Sequence, residues 1–171
     1  AAFMTGLERN ADVVYMCSYA PLFSHVDAWQ WAPDLIWFDN LKSYGTPNYY
    51  VQKLFAVNKG THVVSLTQNN EPVAGQASLY STACIDKNTN ELILKIVNAS
   101  ATEKKPVLEL TGIKKFDPKA IVTVLKADQL DSKNSIESAT AVSPSENILE
   151  IKGKKPGIPL APYSLQVLRI K

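Results

Sequence analysis

Residues 147–152 read NILEIK. Leu149 and Ile151 alternate with Glu150 and Lys152, the two-residue period of a strand with one buried and one wet face. The pattern has company. HVVSLT (62–67), QASLYSTAC (76–84), ELILKIVN (91–98), PVLELT (106–111), AIVTVLKA (120–127) and YSLQVLRI (163–170) are further short runs rich in β-formers. Turn signals divide them: Asp86-Lys87-Asn88, Thr111-Gly112, Asp117-Pro118, Ser143-Pro144 and Lys155-Pro156-Gly157. Short strands at this spacing predict an antiparallel β-sandwich or jelly roll, a mainly β fold.

Upstream the chain changes character. Twelve of its 15 aromatic residues lie in residues 1–58, whereas Lys42 and Lys53 are the only lysines there. A shift this sharp predicts two units, residues 1–58 and 59–171, with a boundary near Asn58-Lys59-Gly60. The first unit reads helix, strand, loop, helix. AFMTGLERNA (2–11) suits a helix, weakened by Gly6. DVVYMCSY (12–19) suits a strand covered on both faces, as in a parallel sheet. A loop of roughly 27 residues follows, a length that usually signals function. TPNYYVQKLFAVNKG (46–60) then reads as a helix with Thr46 as N-cap, Pro47 in the first turn and Gly60 as a left-handed terminator. Tyr50, Val51, Leu54 and Phe55 form its apolar stripe. A lone βα unit is expected to leave that stripe exposed.

Composition excludes several function classes. The chain has 171 residues, 46% hydrophobic and 20% charged, with a net charge of +2. Nucleic-acid binding needs a clustered basic face. The nearest candidate, Lys152, Lys154 and Lys155 around Gly153, reads as a solvated turn. There is no run of 18 apolar residues, so no membrane-spanning helix is expected. The opening AAFMTGLERNADVV lacks the basic and apolar regions of a signal peptide, and it does not begin with Met, as expected of a processed chain or a piece of a longer one. Cys17 and Cys84 each sit in apolar stretches, so both are expected as buried free thiols, and neither has metal-site spacing. Asn98-Ala99-Ser100 matches a glycosylation sequon, a pattern too short to weigh much.

The functional signal lies in HVDAWQWAPDLIWFDN (25–40), which holds all three tryptophans. If the βα unit belongs to an α/β barrel, this segment follows a strand, where barrel active sites are built. Indole faces stack on the apolar faces of sugar rings while polar neighbours bond the hydroxyls. His25, Asp27, Gln30, Asp34, Asp39 and Asn40 are such neighbours. Trp37, in LIWF, reads as core. Trp29 and Trp31 share one side of an extended loop, and either face a ligand or plug the space between rim and sandwich. Tyr19, at the end of the expected strand, is better placed than the lone His25.

GLERNADVVYMCSYAPLF, WQWAPDLIWFDN and YGTPNYYVQKLF also resemble the C-terminal end of the catalytic barrel of glycoside hydrolase family 51 α-L-arabinofuranosidases. ELILKIVNAS, VLKADQLDSKNSIES and APYSLQVLRI resemble that family's C-terminal β-sandwich. The resemblance implies a jelly-roll-like sandwich preceded by the last helix–strand–loop–helix of a (β/α)8 barrel. It implies retaining hydrolysis of terminal α-L-arabinofuranosyl groups from arabinan or arabinoxylan, no metal or organic cofactor, and a homo-oligomeric full-length enzyme. Substrate-binding residues would be Tyr19, Trp29 and Trp31. A retaining glycosidase needs two carboxyl groups about 5–5.5 Å apart. The family's two glutamates lie on earlier strands, and Glu8 sits on the wrong side for chemistry, so no catalytic residue is assigned. The chain is thus expected to be a C-terminal fragment, inactive without the remainder of the barrel. Polysaccharide substrates point to a periplasm or to secretion, and imported oligosaccharides to the cell interior. Two rival readings need no barrel: a non-catalytic carbohydrate-binding sandwich, and a packing or oligomer-forming sandwich.

Overall fold

The structure, a computed structural model, describes residues 1–113 and 115–171. Helix α1 (Ala2–Arg9) opens it, followed by the short strands β1 (Phe23–His25), β2 (Ile36–Phe38) and β3 (Ser43–Gly45), then helix α2 (Pro47–Val57). Next come β4 (His62–Val64), β5 (Thr67–Gln68), β6 (Glu71–Pro72), β7 (Leu79–Asp86), β8 (Glu91–Asn98), β9 (Lys119–Lys126), β10 (Ser145–Glu150) and β11 (Ser164–Ile170). Six strands form one antiparallel sheet in the order β10-β9-β11-β8-β7-β4. The fold is therefore mainly β, as the alternation predicts, and ELILKIVN is β8 residue for residue.

Alternation gives this sheet two apolar faces. On one, Leu94, Ile96, Val122 and Leu168 are buried under extended segments that carry Leu110, Ile151, Ile158 and Leu160. Bridges Lys104–Leu160 and Val107–Gly157 hold those segments together, although 106–111 forms no full strand: only Val107 finds a ladder partner there. HVVSLT likewise breaks in two, β4 ending at Val64 and β5 starting at Thr67; Asn69 and Asn70, both at positive φ, then turn β5 into β6 as a tight hairpin.

The opposite face packs the helices. Val51, Leu54 and Phe55 of α2 meet Cys84, Ile93, Val97, Leu165 and Val167. The expected exposed stripe is thus buried, because the sheet of the same chain supplies its partner. Thr46 caps α2 as anticipated, its hydroxyl accepting the Tyr49 N–H at 3.3 Å. Gly60 does not end the helix. Asn58 does so, with its backbone and side-chain N–H groups donating to Leu54 O at 3.2 and 3.0 Å. Gly60 is needed for space instead: a Cβ there would lie 2.7 Å from Cys84 Cβ and 2.9 Å from the Ile85 carbonyl.

A charged cluster completes this interface. Lys95, fully buried in β8, donates from Nζ to Glu8 of α1 at 2.5 Å and to the Asn58 carbonyl at 2.7 Å, with the Phe55 ring 5.2 Å away. Burial of an ammonium is tolerable only with partners this close. Arg169 bonds the Asn58 side chain at 3.1 Å and pairs with Glu91. Glu8 accordingly serves packing.

Residues 12–19 depart most from expectation. No strand forms there. The N–H groups of Val13 and Val14 turn back to Asn10 O, and Tyr15 and Met16 stay 91% and 89% exposed. A strand exists through its ladder, and among the described residues none lies alongside this run. Cys17 is exposed for the same reason, whereas Cys84 is buried as expected; both are free thiols.

Candidate functional site

The long segment after residue 19 is a small sheet of its own. β1 pairs parallel with β2, and β2 antiparallel with β3. The β2–β3 turn is built by Asp39, whose Oδ1 accepts the N–H groups of Leu41 and Lys42 at 2.7 and 2.6 Å. An aspartate at the first position of a turn does this routinely. Those two N–H groups hold its carboxyl below the usual range.

The aromatic residues gather on this platform. Trp37 is half-buried on β2, and its indole N–H donates to the Asp34 carbonyl at 3.2 Å. Trp29 packs edge-to-face against it, ring centres 6.0 Å apart. His25 meets Phe38 the same way at 5.4 Å, and its Nδ1 accepts the Asp27 N–H. Trp29 and Trp31 remain 54% and 63% exposed. The Tyr19 hydroxyl reaches the Pro33 carbonyl at 3.4 Å, which brings it beside the Trp31 segment. Trp37 thus supports Trp29 from below. Asp34 is buried, with Oδ2 unpartnered; Asp27, Gln30 and Asn40 are exposed.

Two residues that sequence reasoning passed over join this region from the segment between β9 and β10. Asn134 is buried and donates to the Gly45 carbonyl at 2.8 Å. Glu137 adds its charge beside Tyr44, whose hydroxyl is pushed up first by burial and then by that charge. The Ser135 hydroxyl donates to Glu137 at 2.8 Å and holds its carboxyl low. A polar loop such as DSKNSIES carries no periodicity, so nothing local marks which residue turns inward.

Elsewhere, a hollow of about 540 Å³ between the helix N-termini and the sheet is lined mainly by apolar residues, among them Val51, Leu125, Leu130 and Val142. Its polar lining is Asn48, Asn98, Lys126, Tyr163 and Ser164. Among the described residues there is no cluster of three or more His, Cys, Asp or Glu able to hold a metal, and no helix long and apolar enough to cross a membrane. The sequon residue Asn98 is fully buried, its amide spent on the carbonyls of Thr102 and Ala161.

Residues 1–164 match the α-L-arabinofuranosidase C-terminal domain family. The chain belongs to that family. α-L-arabinofuranosidase 1 of Arabidopsis thaliana is 34% identical over 172 residues, which cover 96% of this chain and 24% of that protein. An extracellular exo-α-L-arabinofuranosidase of Streptomyces chartreusis is 57% identical over 72 residues, 42% of this chain and 9% of that one. Among solved structures, the arabinose-bound GH51 α-L-arabinofuranosidase MgGH51 superposes with a TM-score of 0.88 at 29% identity, covering 99% of this chain and 26% of its own. The Thermotoga petrophila GH51 enzyme shares the fold at TM-score 0.79 and 17% identity, over 98% of this chain and 36% of its own. This α-L-arabinofuranosidase C-terminal domain thus spans about a quarter of the length of the Arabidopsis and MgGH51 relatives.

Proposed function

We propose that this chain acts as the C-terminal part of a retaining α-L-arabinofuranosidase that removes terminal α-L-arabinofuranosyl groups from arabinan or arabinoxylan. The observation that carries the reading is the match along nearly the whole chain to relatives of that activity. In this reading residues 1–58 are the last segment of a (β/α)8 barrel and residues 59–171 the sandwich. The exposed Val13, Tyr15 and Met16 would be covered by barrel strands from outside residues 1–171. Hydrolysis would belong to two glutamates on those strands, so these 171 residues alone would be inactive. Tyr19, Trp29 and Trp31 would line the sugar, Trp29 braced by Trp37. The working enzyme would be a homo-oligomer, needing no metal or organic cofactor, outside the cytoplasm like the extracellular Streptomyces relative.

Hydrolysis of an aryl α-L-arabinofuranoside by the longer polypeptide tests this. Trp29→Ala and Trp31→Ala there should raise KM about tenfold, on the order of one or two lost ring contacts. Unchanged KM in both would remove them from the site, and hydrolysis by residues 1–171 alone would remove the fragment reading.

Of the rivals, a sugar-binding sandwich lacks a stacking platform: Tyr80, Phe116 and Tyr163 are all half-buried. A packing role for the sandwich has more support, because its sheet already buries α1 and α2. Saturable arabino-oligosaccharide binding by residues 59–171 would reverse that order.

A further inference from the structure

We infer that Asn134 is a positioning residue, through which the sandwich sets the Trp29–Trp37 pair on the aromatic rim. Asn134 lies 89 positions from Gly45 in sequence, yet its Nδ2 donates to the Gly45 carbonyl at 2.8 Å. The same amide donates to Val142 O at 3.0 Å, and its Oδ1 accepts Val142 N–H at 2.7 Å. The two Val142 bonds close the residue's own loop. The third does nothing for that loop and ties it to the end of β3.

From Gly45 the bonds continue toward the rim. Thr46 donates to the Leu35 carbonyl from both its N–H and its hydroxyl, each at 3.0 Å. The neighbouring Asp34 carbonyl takes the Trp37 indole N–H, and Trp37 carries Trp29. The corner has no slack: a Cβ on Gly45 would fall 2.2 Å from the Tyr49 ring. A shift of Gly45 therefore moves β3 and Trp37, which stands opposite Tyr44 in the ladder, and with Trp37 the Trp29 ring packed on it. Asn134 is buried at 3% exposure, so water cannot replace its amide without opening the loop.

The effect on sugar binding rests on the function proposed above; the positioning does not. Two indoles at this distance and angle give an exciton couplet in far-UV circular dichroism, and Trp29→Phe should abolish it. Asn134→Ala in the 171-residue chain should lose most of the couplet. Asn134→Asp should do the same: it keeps the volume and the acceptor for Val142 N–H, which still closes the loop, and lacks the donor for both the Gly45 and the Val142 carbonyls. Ile158→Ala, a large loss of packing in the opposite core layer, should keep the couplet whole. Asn134→Ala or Asn134→Asp with a cooperative melt and the full couplet would overturn the proposal. Loss of the couplet in these variants, with KM for the aryl arabinofuranoside unchanged in the longer enzyme, would support the positioning and remove the tryptophans from the sugar.

Discussion

The six-stranded sheet and the aromatic segment before α2 are written in similar apolar residues and reach opposite ends. In the sheet, Val167, Leu168 and Ile93 are sealed from water, with strands beside them and layers above and below. Between residues 13 and 41, Tyr15, Met16 and Leu41 are about nine-tenths exposed. Hydrophobicity states that a residue needs a neighbour and leaves open who the neighbour is. The sheet finds its partners within the chain. Among the described residues, no strand pairs with residues 12–19, so their apolar side chains stay in water.

Breaking the contact between α1 and the sheet should have the largest effect. Lys95→Ala leaves the half-buried Glu8 without its cation and opens a cavity in the core, and should cost about 3 kcal/mol, read as a lower urea midpoint. Lys95→Met with Glu8→Leu should restore most of it, because apolar residues of similar size can replace a buried pair. If Lys95→Ala alone were neutral, the Glu8 pair would not be what holds α1, and the tie would rest on Arg9, whose guanidinium donates to the Ser81 carbonyl of β7 at 2.7 Å. Next in size is a direct contrast. Leu168→Ala should cost roughly 2–5 kcal/mol, and Met16→Ala no more than about 0.5 kcal/mol. Equal costs in urea unfolding would erase the difference between the two regions.

That contrast also explains what was legible in the residues. ELILKIVN and YSLQVLRI carry both sheet faces in their alternation, so β8 and β11 are readable to within a residue. Thr46-Pro47 marks the start of α2 equally well. DVVYMCSY has the composition of a strand, but a ladder is a property of two segments, and among the described residues no second segment pairs with it. Leu54 and Phe55 are buried against the expected exposure for the converse reason: their partner, β8, lies far along the chain, past the expected boundary near Asn58. At the candidate site, aromatic density singled out Trp29 and Trp31. The pairing of Trp29 with Trp37, and the reach of Asn134, follow from tertiary geometry that no local pattern records.

Smaller effects separate α2 from its surroundings. Thr46→Ala removes both the cap on Tyr49 N–H and the hydroxyl bond to Leu35, and should cost about 1–2 kcal/mol in urea unfolding. It should also weaken the Trp couplet, because Thr46 joins the helix to the rim; an unchanged couplet would show that the cap serves α2 alone.

The smallest effect expected is acid sensitivity at the other end of α2. The Arg169 guanidinium, bonded to Glu91, holds that carboxyl below its ordinary value. A depressed folded value means that the unfolded chain takes up the proton first as pH drops. Stability from this pair is therefore complete above about pH 4.3, the ordinary glutamate value, and drains away as pH falls through the lower folded value. Glu91→Gln should lose that increment at neutral pH, and its stability should fall less steeply than the parent's under acid. Because Arg169 also bonds Asn58, which ends α2, acid should loosen the helix end before the strands. Amide exchange near Asn58 that rises in acid in the parent and stays flat in Glu91→Gln would place the C-terminal end of α2 energetically with the sheet. Identical exchange in both would mean that the helix end is held by its apolar stripe and by Lys95 on the Asn58 carbonyl, without help from the Arg169 pair.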